Sequence, residues 1–188
     1  MGIRALAVAL SVFLIIAFSA GIVVPAQSQS LAPYVPTPQQ VVEKMLELAE
    51  VTANDVVYDL GCGDGRIVIT AAKKYGARGV GIDIDPERIK ESLANAKKAG
   101  VEKLVTFKLE DAMKVDVSPA TVVTLYLLSS SNAMLRPILT KQLKPGSRIV
   151  SHAFSMGDWP ALKTETVADD SGFTRTIYLW KTDGKAWP

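Results

Sequence analysis

Cysteine and histidine are almost absent from this chain of 188 residues, which contains one of each, Cys62 and His152. A single cysteine cannot form an internal disulfide, and one Cys with one His cannot supply the ligand set of a structural zinc site. We therefore expect neither a disulfide framework nor a metal centre.

An excess of charge of either sign is also missing. The chain has 21 Lys and Arg against 19 Asp and Glu, so its formal net charge is +2 at pH 7. Sequence-independent binding of nucleic acid needs clustered Lys and Arg to displace phosphate counterions, so we do not expect a nucleic-acid partner. Hydrophobic residues make up 48% of the chain, which excludes a disordered or collagen-like protein and predicts one compact domain.

One long apolar run is present, at the amino terminus. Residues 5–24 contain only Ala, Val, Leu, Ile, Phe, Ser and Gly, and a run of this length can cross a bilayer. Because Arg4 precedes it and the next charge is Glu43, we expect the chain after the run to face away from the cytoplasm. Small residues within 24–28 suit signal-peptidase cleavage, so a cleaved signal peptide and a retained anchor both stay open.

These features divide the chain into three parts. We interpret residues 1–28 as a signal peptide or membrane anchor, residues 29–37 as a tether and entry segment, and residues 38–188 as the folded domain. The expected location is a domain anchored to the membrane or exported across it, with the membrane contacted through the amino-terminal segment.

Strand and helix patterns alternate through the folded domain. Thr37, followed by Pro38 and Gln40, is typical of an N-cap and predicts the first helix. Helices are expected over residues 38–49, 66–75, 86–99 and 131–143, the last kinked or restarted at Pro137, and strands over 56–60, 80–84, 104–109, 121–128, 147–151, 162–167 and 174–181. This order predicts a three-layer, doubly wound Rossmann-like α/β sheet, closed by an antiparallel hairpin, with its ligand site at the carboxyl ends of the parallel strands.

A glycine-rich loop follows the first predicted strand, with the sequence Asp59-Leu60-Gly61-Cys62-Gly63-Asp64-Gly65-Arg66. Dinucleotide-binding loops use G-x-G-x-x-G, whereas here the spacing is G-x-G-x-G. The first residue, an aspartate, would repel a pyrophosphate but suits a ligand that carries an ammonium and a sulfonium. The loop therefore favours S-adenosylmethionine over NAD. The predicted cofactor-binding residues are Asp59, Gly61, Cys62, Gly63 and Gly65, with the thiol interpreted either as a small filler of a tight loop or as a reactive group.

Further cofactor candidates follow the second and third strands. Asp83, next to Ile84, is placed to accept hydrogen bonds from both ribose hydroxyls. The alternative is a helix-capping carboxylate, although Asp85 already stands directly before Pro86. Asp111 can accept from an adenine amine, or it can belong to a solvated turn. We add Asp83, Ile84 and Asp111 to the predicted cofactor site.

With these motifs the sequence resembles the class I, seven-strand methyltransferases over about residues 34–181. Three segments carry the resemblance: 57–65, 81–86 and 110–111. It implies the cofactor S-adenosyl-L-methionine, the strand order 3-2-1-4-5-7-6 and an antiparallel last strand. The sequence departs from the usual pattern between strands five and six, where about ten residues leave no room for a helix.

A narrower resemblance concerns segments 34–38, 64–69, 151–154 and 157–160. These are similar to a bacterial and mitochondrial group of lysine-specific methyltransferases, whose mitochondrial members methylate lysines of inner-membrane proteins. The resemblance implies a protein substrate whose lysine amine accepts the methyl group, with a membrane protein as one option.

Aromatic and polar residues near the fourth and fifth strands are candidates for the acceptor site. We expect Tyr34, Tyr126, Ser129, His152 and Trp159 there, because the loops at the carboxyl ends of these strands converge. Core packing for Tyr126, a structural hydrogen bond for His152 and cover of the sheet edge for Trp159 are the alternatives. The Asn/Asp-Pro-Pro-Tyr/Phe motif typical of methylation at amide or adenine nitrogen is absent after strand four.

Three functions stay open on the sequence alone. The first is methylation of a protein lysine, the second is methylation of a small-molecule or lipid acceptor, and the third is a non-catalytic module that binds S-adenosylmethionine. A domain that faces away from the cytoplasm would also have to obtain a cofactor that is made inside it.

Overall fold

The computed structural model describes residues 30–187; the expected signal peptide or anchor, residues 1–28, lies outside them. Helices and strands alternate along the chain. Their bounds are α1 Gln39–Leu48, β1 Val56–Leu60, α2 Arg66–Tyr75, β2 Arg78–Asp83, α3 Pro86–Ala99, β3 Val105–Leu109, β4 Val122–Leu125, α4 Ser129–Gln142, β5 Arg148–His152, β6 Lys163–Ala168 and β7 Thr174–Lys181. Within this part of the chain, no helix combines the length and apolar character needed to cross a membrane.

The strands form one seven-stranded sheet in the order β3-β2-β1-β4-β5-β7-β6. Strands β1 to β5 are parallel, whereas β7 runs antiparallel to both β5 and β6. The predicted doubly wound sheet, its strand order and its antiparallel last strand are therefore confirmed. The connection between β5 and β6 contains no helix, as the short spacing predicted.

Two apolar layers cover the faces of the sheet. On one face α1 and α2 bury residues such as Met45 and Val68 against alternate positions of the strands. On the other face α4 buries Leu135 and Leu139 against the intervening positions, together with Trp180. Because successive side chains of a strand point to opposite faces, the central strands are buried on both sides and the domain has three layers.

Two local predictions were wrong. Thr37 does not cap α1, since Pro38 occupies the N-cap position without any side-chain hydrogen bond; the Thr37 hydroxyl instead turns inward, 3.5 Å from the His152 ring. Helix α4 begins at Ser129 and continues through Pro137 without a break. Its buried leucines on both sides of the proline hold the two halves against one face of the sheet, which offsets the lost backbone hydrogen bond.

Candidate active site

The glycine loop folds back over the end of β2. Gly61 and Gly63 have φ of 81° and 54°, in the left-handed region that glycine enters without strain. The backbone N–H groups of Gly61 and Cys62 both donate to the Ile82 carbonyl, at 2.8 and 2.9 Å. A Cβ at Gly63 would lie 2.5 Å from the Tyr34 ring, so this position requires glycine for space as well as for conformation.

The Asp83 carboxylate ties this loop to β2. Its Oδ2 accepts from the Gly63 N–H at 2.8 Å and its Oδ1 accepts from the Asp85 N–H at 3.0 Å. Asp85 itself caps α3, since its Oδ1 accepts from the Glu87 N–H at 2.8 Å. Helix capping is thus the task of Asp85, and each Asp83 oxygen retains a lone pair for a further donor, such as a ribose hydroxyl.

Asp59 is the most deeply buried carboxylate of the site, with 3% of its surface exposed. It lies near the end of β1 and accepts a hydrogen bond of 2.8 Å from the Thr124 hydroxyl. Burial raises the pKa of Asp59 to about 7, even though the Thr124 hydrogen bond acts in the opposite direction. A cationic ligand group placed beside it would restore the charged form.

Residues 30–37, which we call the strap, lie across the glycine loop. Tyr34 covers Gly63, and the Arg88 guanidinium lies 4.5 Å from the centre of the Tyr34 ring. Arg66 donates from Nη1 to the Thr37 carbonyl at 2.8 Å and pairs with the Asp64 carboxylate at 2.6 Å. The strap is therefore held by the same loop that it covers.

Strap, glycine loop and the ends of β1, β2 and β4 enclose a cleft of about 420 Å³, within the usual range for small-molecule sites. Six carboxylates line it, Asp59, Asp64, Asp83, Asp85, Glu110 and Asp111, against two guanidiniums, Arg66 and Arg88. One of those guanidiniums is already paired with Asp64. The cleft is thus strongly acidic, although the whole chain is nearly neutral, and it favours a cationic ligand.

Most of the predicted cofactor residues line this cleft. They are Asp59, Gly61, Cys62, Gly63, Asp83, Ile84 and Asp111. Gly65 does not: a Cβ there would lie 2.6 Å from the Phe107 ring, so Gly65 permits packing beneath the loop. The Cys62 side chain is buried and burial raises the pKa of its thiol, which favours the interpretation as a small filler over a reactive group.

The predicted acceptor residues are only partly brought together. Tyr34 and Tyr126 line the cleft, whereas Ser129 is exposed at the first position of α4. His152 is fully buried behind Tyr126. Trp159 packs between Trp180 and Trp187 in the second core layer, away from the cleft lining.

Sequence reasoning missed two groups of residues at the site. The first is the start of the strap, residues 30–33, which was expected to be a tether but lines the cleft. The second is the pair of guanidiniums, Arg66 and Arg88, that hold the strap. Their signal was an arginine in the place of the third loop glycine, two residues after Asp64. Among residues 30–187, no group of three or more His, Cys, Asp or Glu side chains is placed to hold a metal ion.

An Asp83→Ala variant is expected to bind S-adenosylmethionine at least tenfold more weakly than the parent, about 1.4 kcal/mol. The substitution removes two acceptor oxygens from the cleft and the anchor of the Gly63 N–H. Calorimetric titration of the full-length protein measures the loss. Asp170→Ala, which removes an exposed carboxylate between β6 and β7, is the control; equal affinities for the two variants would contradict the role of Asp83.

The seven-stranded order, the G-x-G-x-G loop and an acidic residue after each of the first three strands define a class I S-adenosylmethionine-dependent methyltransferase. Comparison with known proteins gives the family. Residues 59–163 match the ANTKMT methyltransferase domain, and the chain belongs to this family. The prediction of S-adenosylmethionine rather than NAD is thereby confirmed.

Relatives with curated names are similar over most of the described domain. The "Protein-lysine N-methyltransferase" of Saccharolobus islandicus is 50% identical over 149 residues, which cover 79% of this chain and 92% of the relative. A lysine N-methyltransferase of Homo sapiens that is named for the ATP synthase is 30% identical over 137 residues, which cover 73% of this chain and 58% of the relative.

Among solved structures, a protein from Salinibacter ruber described as an RNA methyltransferase, crystallised with S-adenosyl-L-homocysteine, is 55% identical to this chain. Its TM-score is 0.75, and the match covers 81% of this chain and 97% of that one. This similarity supports the cofactor assignment directly. The names of the relatives differ in the acceptor, a protein lysine in one case and RNA in the other.

Proposed function

We propose that this protein transfers a methyl group from S-adenosylmethionine to the side-chain amine of a protein lysine. The observation that carries the acceptor class is the charge of the cleft, where six carboxylates face two guanidiniums. A lysine ammonium is attracted to such a surface, whereas an RNA phosphate backbone is repelled by it. The name of the Saccharolobus relative, at 50% identity, supports the same acceptor.

The residues of the chain serve this reaction mainly by holding the reactants and excluding water. S-adenosylmethionine supplies the methyl group when bound. The strap covers the glycine loop, and Tyr126 and Leu127 form an apolar wall after β4. An ammonium that enters these surroundings loses hydration, which lowers the pKa of the lysine and favours the neutral amine that can accept a methyl group. Alignment and desolvation therefore replace a dedicated base.

Distribution of a labelled methyl group tests the acceptor. The full-length protein is incubated with tritiated S-adenosylmethionine and with separate protein, RNA and lipid fractions of the source cells. Label is expected in protein, on lysine, and is expected to disappear with Asp83→Ala. Label confined to RNA would support the function named for the Salinibacter structure, and label in lipid or small molecules would support the second acceptor class.

A non-catalytic module gives a different pattern in the same experiment. Calorimetry would then show cofactor binding by the parent protein, while no fraction acquires label. Label on protein lysine excludes this alternative, and the absence of cofactor binding by the folded parent would contradict both the enzyme and the module.

We also propose that residues 1–28 anchor the domain to a membrane or export it. The support is the apolar run of residues 5–24, which follows Arg4 and contains no charge. Extraction of cell membranes at alkaline pH is expected to leave an anchored protein in the pellet, and protease added outside the membrane reports which side the domain faces. Recovery of the uncleaved chain in the soluble cytoplasmic fraction would overturn this proposal.

A further inference from the structure

Three rings meet at the carboxyl edge of the sheet, where β4 and β5 end. Tyr126 follows β4 and lines the cleft. The ring of His152, the last residue of β5, stacks on it with centroids 3.9 Å apart and planes 30° apart. Phe154 lies on the same tyrosine with a centroid distance of 6.2 Å. The orientation of Tyr126 is therefore determined by its contacts with the segment that follows β5.

His152 also reaches the strap. Its Nδ1 lies 3.5 Å from the hydroxyl of Thr37, the last strap residue. The Thr37 carbonyl accepts from Arg66, which is paired with Asp64 of the glycine loop. An unbroken series of contacts thus joins the loop, the strap, His152 and Tyr126, and so connects the cofactor side of the cleft to its acceptor side.

The backbone after His152 is held in an uncommon conformation. Ala153 has φ of 65°, a region that residues with a Cβ rarely enter and that costs about 1 kcal/mol or more. The Asn132 amide donates to the carbonyls of Phe154 and Ser155, at 3.1 and 3.3 Å. These bonds offset the strain, and the turn they stabilise returns Phe154 to the Tyr126 ring.

The chemistry of the imidazole argues against a proton-transfer role. His152 is fully buried and is not among the residues that line the cleft. Its Nε2 has no hydrogen-bond partner among the residues that the structure describes. Burial lowers the pKa of His152 to about 4, so the ring is neutral wherever the enzyme works. The ring shape and the Nδ1 contact are what the fold uses.

We propose that His152 is a positioning residue, whose ring orients Tyr126 and whose contact with Thr37 couples this wall of the acceptor side to the strap over the cofactor. This inference rests on the proposed function. Polar contacts in unliganded sites are often long and tighten when a ligand binds. The 3.5 Å contact with Thr37 is therefore expected to shorten when the cofactor seats the strap.

Nuclear magnetic resonance of the histidine ring tests the coupling, because the chain contains one histidine and its signals need no assignment. Addition of S-adenosylhomocysteine to the full-length protein is expected to shift the His152 ring signals. Thr37→Val is expected to remove most of that shift, whereas Thr166→Val, on an exposed position of β6, is expected to leave it unchanged. Ring signals that ignore a bound cofactor overturn the inference.

Calorimetry on the same samples separates the coupling from a merely structural role. Thr37→Val and His152→Phe are each expected to weaken S-adenosylhomocysteine binding about threefold, and the double variant no more than either, because they break one contact. His152→Phe keeps a stacked ring and is expected to fold normally, since Nε2 makes no bond that would be lost. Additive losses, or none, contradict the coupling. A parent that binds no cofactor rejects the proposed function together with the inference.

Discussion

An Asp59→Asn variant is expected to be more stable than the parent protein without cofactor, yet to bind S-adenosylmethionine at least tenfold more weakly. Asp59 is buried near the end of β1 and its pKa is raised to about 7 by that burial. In the unfolded chain the same carboxyl ionises near pH 4. The folded protein therefore holds an acidic group in surroundings that favour its neutral form.

The sign of the pH dependence follows from these two values. A carboxyl whose pKa is raised on folding contributes stability that is complete below the unfolded pKa and is lost as the pH rises through the folded one. The advantage of Asp59→Asn should thus be small near pH 4, grow between pH 4 and 7, and level off above pH 7 at about 2 kcal/mol. Thermal unfolding at several pH values measures it.

Binding should show the opposite effect of the same group. Between pH 5 and 7 the affinity of the parent for S-adenosylmethionine is expected to rise with pH, because the charged Asp59 attracts the cationic cofactor. The asparagine retains an acceptor for the Thr124 hydroxyl but no charge, so its affinity should be low and independent of pH over this range. A parallel pH profile in both proteins would show that Asp59 does not contact the cofactor.

Asp55 provides a control with the opposite sign. It is also buried and close to β1, and burial acts to raise its pKa, but hydrogen bonds from Thr121, Thr52 and Arg148 together lower it. Stability from such a group is present above the unfolded pKa and lost on acidification. Asp55→Asn is therefore expected to destabilise the protein at pH 8 and to leave cofactor binding unchanged. A gain in stability from both substitutions would contradict the assignment.

The parts of the fold that could be predicted are those set by local pattern. Alternating strands and helices, with the order implied by family resemblance, predicted the sheet, and the spacing of acidic residues after the first three strands predicted Asp59, Asp83 and Asp111 at one edge. Parallel strands bring their carboxyl ends together whatever the details of packing. These predictions therefore needed no knowledge of contacts between distant residues.

The parts that could not be predicted depend on such contacts. Thr37 has the local sequence of a helix cap, but its carbonyl is held by Arg66, 29 residues further on, and its hydroxyl turns to His152. Trp159 has the flanking prolines and glycines of a loop, yet it is drawn into the second core layer by Trp180, whose indole N–H donates to its carbonyl at 3.0 Å. Tertiary partners overrode the local preference in both cases.

Gly65 is a third such residue, and a Gly65→Ala variant is expected to lose about 3 kcal/mol of folding free energy. The residue has φ of 80°, and an added Cβ would lie 2.6 Å from the Phe107 ring and 2.9 Å from the Ser92 Cβ. Backbone strain contributes about 1 kcal/mol, and overpacking of the space between the loop, α3 and β3 contributes the rest. Denaturant unfolding of the full-length protein measures the loss.

Gly100→Ala separates these two contributions. Gly100 also has a positive φ, 71°, but a Cβ there would meet nothing within 4 Å. Gly100→Ala is therefore expected to cost only the backbone strain, about 1 kcal/mol, while Gly65→Ala costs more because it also displaces Phe107. Combining Gly65→Ala with Phe107→Leu should recover part of the difference. Equal losses at the two glycines would falsify the packing role and return Gly65 to the cofactor contact that the loop motif predicts.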